Sequence, residues 1–159
     1  MSELNIGDNA PDFTLPTDSD GEITLSDLKG QKVVIYFYPK DDTPGCTKES
    51  CGFNDALPAF ENINATILGI SKDTPAKHDK FKAKYGLKFP LGSDEEGKVC
   101  DLYGVWKEKS MYGKTFLGIE RSTFLIDEQG KIAAIWRKVK VKDHVEAVQA
   151  AAQDLAKAA

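Results

Sequence analysis

The run VVIYFY at residues 33–38 restricts the fold more than any other feature, because it is β-branched or aromatic at every position with no polar alternation. A strand with one wet face alternates apolar and polar side chains; a continuous run predicts a central strand covered on both faces. Such a strand needs neighbours beside it and layers above and below it.

The rest of the chain supplies candidates. A helical stretch beyond Cys51 runs to about Phe60, residues 66–70 (TILGI) repeat the buried-strand pattern, and an amphipathic helix follows over about 74–85, giving the order β, α, β, α. Residues 94–103 read as a short helix, 114–117 and 122–127 as strands, and 128–130 as a turn into a strand over 131–136. An alanine-rich helix over about 141–157 closes the chain, with Val145, Val148, Ala152 and Leu155 at helical spacing. Near the start, residues 9–15 and 22–25 flank the turn-rich 18–21 as an N-terminal β-hairpin, and 26–30 read as one helical turn ended by glycine. The pattern predicts an α/β fold: a mixed central sheet flanked by helices, with an N-terminal β-hairpin. No repeat or long linker divides the 159 residues, which suit one domain spanning 1–159.

Composition narrows the function. With 41% apolar and 29% charged residues and no apolar stretch of the roughly 20 residues a span needs, neither disorder nor a membrane segment is expected. Residues 1–8 lack the basic and apolar regions of an export signal, so a cytoplasmic location is expected. The net charge is −4 and the lysines are scattered, which argues against nucleic acid as a partner. Of 21 basic residues only Arg121 and Arg137 are arginines. Three cysteines, Cys46, Cys51 and Cys100, are an odd number and do not suggest a structural disulfide framework in a reducing compartment.

The apolar run delivers the chain to YPKDDTPGCTKESC, residues 38–51. Thr43 suits an N-cap and Pro44 the first helical position, while Gly45 permits close approach of backbone or ligand. Cys46 then falls in the first helical turn, where free N–H groups and the helix dipole favour a thiolate; it is the candidate nucleophile. Cys51 lies about 7.5 Å further along the same helix by its rise, beyond the approximate 7 Å limit on Cα separation for a disulfide. A Cys46–Cys51 bond on such a helix therefore requires local unwinding. Three other readings compete. Both thiols could pack into a core; a zinc site lacks ligands, since His78 and His144 sit in polar stretches and are expected at the surface; and the spacing departs from the Cys-x-x-Cys dithiol motif.

Pro39-x-x-x-Thr43-x-x-Cys46 resembles the active-site motif of peroxiredoxins, and its extension through Glu49 and Cys51 is similar to the bacterioferritin comigratory protein branch, also called PrxQ. The similarity extends to Gly7-Asp8, Ala10-Pro11 and Phe13, to Gly104-Val105-Trp106, and to 121–127 (RSTFLID). It implies a thioredoxin-like fold and a thioredoxin-dependent thiol peroxidase acting on hydrogen peroxide and alkyl hydroperoxides. By this resemblance Cys46 is the peroxidatic cysteine, Thr43 a hydrogen-bond partner of peroxide and sulfur, Pro39 a shield over the site, and Arg121 the active-site arginine. A thiolate attacking an O–O bond needs its charge held, and charge then develops on the departing oxygen; one guanidinium can serve both. Glu49 supports the first turn without a chemical step.

The implied cycle forms a Cys46 sulfenic acid, which condenses with Cys51 to an intramolecular disulfide. Thioredoxin, glutaredoxin or a similar dithiol then restores the thiols, without flavin, haem or metal. Branch members differ in where the second cysteine lies; here Lys82, Ala83 and Lys84 occupy the alternative region, which favours Cys51. Cys100, beside Val99, Leu102 and Tyr103 on an apolar helical face, reads as a core thiol. The resemblance also implies a monomer. The competing functions are a peroxide-responsive sensor that uses the same cysteine pair to engage a partner, and a structural protein with incidental thiols.

Overall fold

The VVIYFY run lies in the middle strand of a five-stranded sheet, and every residue of that strand is buried. The computed structural model describes residues 4–158, so residues 1–3 of the N-terminal stretch read above lie outside the described residues. In chain order the elements are β1 (Thr14–Pro16), β2 (Glu22–Thr24), a 3-10 turn (Leu25–Leu28), β3 (Lys32–Phe37), α1 (Pro44–Asn62), β4 (Ala65–Ser71), α2 (Pro75–Tyr85), β5 (Leu91–Ser93), α3 (Lys98–Leu102), β6 (Trp106–Met111), β7 (Lys114–Ile119), β8 (Ser122–Ile126), β9 (Ile132–Trp136) and α4 (His144–Ala158).

The sheet order is β5-β4-β3-β8-β9. β3 runs parallel to β4 and antiparallel to β8, so the sheet is mixed as predicted. Because strand side chains alternate between faces, β3 feeds two cores. Val34, Tyr36 and Tyr38 pack with Phe53, Leu57 and Phe60 of α1, Phe81 of α2 and Val148 of α4. Val33, Ile35 and Phe37 face the other way, onto Phe13, Leu15, Val99 and Cys100. Phe53 stacks on Tyr36 with ring centroids 4.8 Å apart, and its truncation to Ala would cost about 3–5 kcal/mol.

Two expectations shorten and two strands were not foreseen. The N-terminal hairpin pairs only three residues on each side, Thr14↔Thr24 to Pro16↔Glu22. The helix expected over 94–103 begins only at Lys98, because Gly97 takes a left-handed φ of 78° and the Asp94 carboxylate accepts the N–H groups of Val99 and Cys100. β5 holds only three residues, and β6 (WKEKSM) lacks an apolar alternation; β6 instead pairs with β7 as a hairpin.

Register fixes where the chemistry can lie. Phe37 pairs with Ser122, so the residues after β3 and before β8 leave the sheet at the same end. That end carries Pro39, Thr43 and Cys46 from one side and Arg121 from the other.

Candidate active site

α1 begins where the sequence places it. Thr43 is the N-cap with extended backbone, and Pro44 occupies the first helical turn. The Thr43 hydroxyl does not cap the helix; it donates to the Lys40 carbonyl at 2.9 Å and closes the preceding turn. The first bond of the helical ladder runs from the Thr47 N–H to the Thr43 carbonyl at 2.8 Å, leaving the Gly45 and Cys46 N–H groups outside it. Cys46 is 1% exposed. Pro39 is half-buried just beyond β3.

Arg121 comes to Cys46 across the sheet end. Its Nη2 donates to Cys46 Sγ at 3.3 Å and its Nη1 to Glu49 Oε1 at 2.6 Å. Gly45 leaves room for the approach: a Cβ there would stand 3.1 Å from Arg121 Nη2, tighter than ordinary contact. The guanidinium is therefore fixed by the Glu49 carboxyl group, three residues beyond the thiol on the same helix. Arg137 has an unrelated place, donating to the carbonyls of Tyr103 and Gly104.

Burial decides the electrostatics of Glu49. Its side chain is sealed from water, and burial pushes its carboxyl up to about 7 despite the Arg121 charge beside it. Arg121 is partly open to solvent; burial weakens its charge, but Glu49 and Cys46 outweigh that effect and hold it firmly protonated.

Both histidines are buried, contrary to the expectation of surface positions. His144, at the start of α4, places Nε2 2.8 Å from Thr123 Oγ1 and 3.8 Å from Glu49 Oε2. Burial, aided by the Arg121 charge, pushes its imidazole down to about 4. His78, on α2, contacts Asp41 Oδ2 at 2.6 Å through Nδ1 and the Gly92 carbonyl at 3.0 Å through Nε2. Asp41 also accepts the Tyr38 hydroxyl at 2.6 Å, and its N–H donates to Asp73 at 2.8 Å. Next to it, Asp42 takes a positive φ of 59° and accepts from Lys84 and Tyr85. The loop between β3 and α1 is thus pinned to α2 through adjacent aspartates. The sequence signal for this was the histidine in a lysine-rich helix, whose partner lies on a distant loop.

Cys51 shares α1 with Cys46, both as free thiols, and is partly exposed. Burial, with the Asp55 carboxylate adding to it, raises its thiol. Cys100 is fully buried on the opposite face of the sheet from Cys46. A cleft of about 300 Å³ lined by Asn9, Leu25, Lys29 and Gly130 opens at the other end of the sheet, beside Val33 and Ile126. It is remote from Cys46 and plays no part in this site. Among the described residues no three His, Cys, Asp or Glu side chains gather as a metal-binding group.

Residues 6–135 match the model of the AhpC/TSA family. The chain belongs to that family. It is 52% identical to peroxiredoxin Bcp of Bacillus subtilis, over 92% of this chain and 94% of that protein. Peroxiredoxin Bcp of Escherichia coli K12 is 47% identical, over 93% and 95% of the two chains. Among solved structures, the bacterioferritin comigratory protein of Xanthomonas campestris, described for its alkyl peroxide reduction activity, superposes with a TM-score of 0.87 at 49% identity, covering 91% of this chain and 92% of that one. A variant of Xylella fastidiosa PrxQ gives 0.91 at 46% identity, covering 97% and 98%. The fold is the thioredoxin-like fold of this peroxiredoxin branch, and the enzyme is a thiol peroxidase.

Proposed function

We propose that Cys46 is the peroxidatic thiol of this peroxiredoxin and Cys51 its resolving thiol, with Arg121, Thr43 and Pro39 completing the catalytic set. The observation that carries this reading is the Arg121 Nη2 donor 3.3 Å from Cys46 Sγ in a buried site. In the first step the thiolate attacks one oxygen of hydrogen peroxide or an alkyl hydroperoxide. The S–O bond forms as the O–O bond breaks, sulfur is oxidised to a sulfenic acid, and the departing oxide takes a proton and leaves as water or alcohol. Arg121 holds the charge on sulfur first and on the departing oxygen next. Thr43 positions the peroxide from its tight turn, and Pro39 limits water at the mouth. The activity described for the Xanthomonas relative supports alkyl hydroperoxides among the substrates.

Cys51 then condenses with the sulfenic acid, releasing water and forming the disulfide. On intact α1 the two residues rise about 7.5 Å apart, so its first turns must unwind. Unwinding gives up the Arg121–Glu49 pair and the Tyr36–Ser50 bond at 2.8 Å. A dithiol reductant, thioredoxin or one like it, then reopens the disulfide by exchange. The remaining elements of the proposal are a monomer, located in the cytoplasm, with 1–159 as one domain. The shared sheet between both cores supports the last, and no helix among the described residues is long and apolar enough to cross a membrane.

Single-turnover peroxide consumption tests the assignment. Cys46→Ser should lose it, while Cys51→Ser should complete one oxidation and stop; equal rates in wild type and Cys46→Ser would overturn the proposal. Sustained turnover with thioredoxin, thioredoxin reductase and NADPH would exclude a sensor-only role.

A further inference from the structure

The Cys46 pocket brings two buried acids to one cation. Arg121 donates from Nη2 to Cys46 Sγ and from Nη1 to Glu49 Oε1, so the same guanidinium faces a thiol and a carboxyl. Glu49 is 0% exposed, and its Oε2 has no hydrogen-bond partner. Among the described residues, its neighbours His144 and Tyr36 bring no second positive charge. His144, from α4, stands 3.8 Å from Oε2 and is neutral near pH 7, because burial and Arg121 hold it down at about 4 against a smaller opposing pull from Glu146. Tyr36, from β3, stays a neutral phenol, since burial raises its ionisation far above the ordinary range. Two anions beside one cation in a sealed pocket would leave a buried charge unpaired, which is strongly disfavoured. A Cys46 thiolate paired with Arg121 therefore leaves Glu49 as the neutral carboxyl, holding its proton.

We infer that Glu49 stores that proton in the reactive state and gives it up as the peroxide is reduced, so that the negative charge beside Arg121 passes from Cys46 to Glu49. The inference rests on Cys46 as the nucleophile. The balance is closed without any further reactant: Cys46 thiolate, neutral Glu49 and ROOH become Cys46 sulfenic acid, Glu49 carboxylate and ROH. The S–O bond forms, the O–O bond breaks, sulfur loses two electrons and the peroxide gains them, and the proton lost by Glu49 matches the one gained by the departing oxide. Arg121 is paired with one anion before and after, so the pocket's net charge does not change during the attack. Burial, which pushes Glu49 up to about 7, acts in the same direction.

Infrared difference spectroscopy tests this in Cys51→Ser, which stops at the sulfenic acid. One equivalent of hydrogen peroxide is added near pH 7, and the mass of the Cys46 peptide is measured on the same sample. The expected result is the loss of one protonated-carboxyl carbonyl band, sensitive to heavy water, for each Cys46 oxidised. The band should be missing from the start in Glu49→Gln combined with Cys51→Ser. Isotopically labelled glutamate assigns it without substitution should that variant fail to fold. Cys46 oxidation with the band unchanged would overturn the inference; absence of oxygen on Cys46 would instead overturn the assignment of the nucleophile.

Discussion

Cys46 and Cys100 are equally hidden, at 1% and 0% exposure, yet their neighbours carry opposite charge. Cys46 meets the Arg121 guanidinium at the start of a 19-residue helix. Cys100 lies on the other face of the sheet, where the Asp94 carboxylate accepts its N–H at 2.8 Å. Burial pushes the Cys100 thiol up and Asp94 pushes it further, so it stays protonated. Equal depth therefore leaves the two thiols beside opposite charges, and on the proposed assignment the sign of that charge decides which one reacts. Cys51 is intermediate, near the surface with an acid close by, which suits a thiol that acts second.

The comparison is sharpest when each thiol is removed. Cys46→Ser should abolish peroxide turnover, while Cys100→Ser should leave kcat/KM unchanged, as measured by coupled peroxide consumption. The next largest effect should come from the charge itself. Arg121→Met, which keeps length and loses the donors, should lower the rate of Cys46 oxidation about 10²–10³-fold, the scale of losing a charge-stabilising donor. Reaction of Cys100 should be unaffected by that change.

Stability against pH probes the same pocket from another side. Glu49 rises from 4.5 to about 7 on folding, so between these values the folded state binds more protons and its contribution to stability falls as pH rises. His144 drops from 6.5 to about 4, so between these the unfolded state binds more protons and stability rises with pH. The two slopes oppose one another in the wild type. Denaturant titration of Glu49→Gln should expose the rising slope over about pH 4–6.5, and that of His144→Gln the falling slope over about pH 4.5–7. Each amounts to roughly 3 kcal/mol across its window.

Gly45→Ala should have the smallest effect. Its Cβ would press on Arg121 Nη2 at 3.1 Å, slowing the peroxide step less than Arg121→Met does. Helix stability should move the opposite way, rising by up to about 0.5–1 kcal/mol because alanine is the better helix former. Thermal unfolding and stopped-flow oxidation of the same variant would show the two signs.

Much of this arrangement can be read in the chain. The all-apolar β3, the Thr43-Pro44 helix start and the position of Cys46 are local signals, and each has its physical cause within a few residues. The meeting of Arg121 with Cys46 joins residues 75 apart and was reached only through the family motif. The burial of His78 stayed hidden because its helix is dominated by lysines and its partner Asp41 lies 37 residues away. The burial of His144 is hidden for the same reason: the α4–α1 contact that encloses it beside Glu49 depends on tertiary packing. Gly52 is part of that contact, since a Cβ there would stand 3.0 Å from Val145. β6 was missed because a hairpin outside the main sheet needs no apolar face.

In the proposed cycle, charge and helix position give the thiols unequal roles, with Cys46 attacking and Cys51 resolving. Intact mass and peptide mapping after one equivalent of peroxide, in wild type and Cys51→Ser, test it most directly. A Cys46–Cys51 disulfide in the first and a Cys46 sulfenic acid in the second are predicted. A Cys46–Cys100 bond, or first oxidation at Cys51, would contradict it.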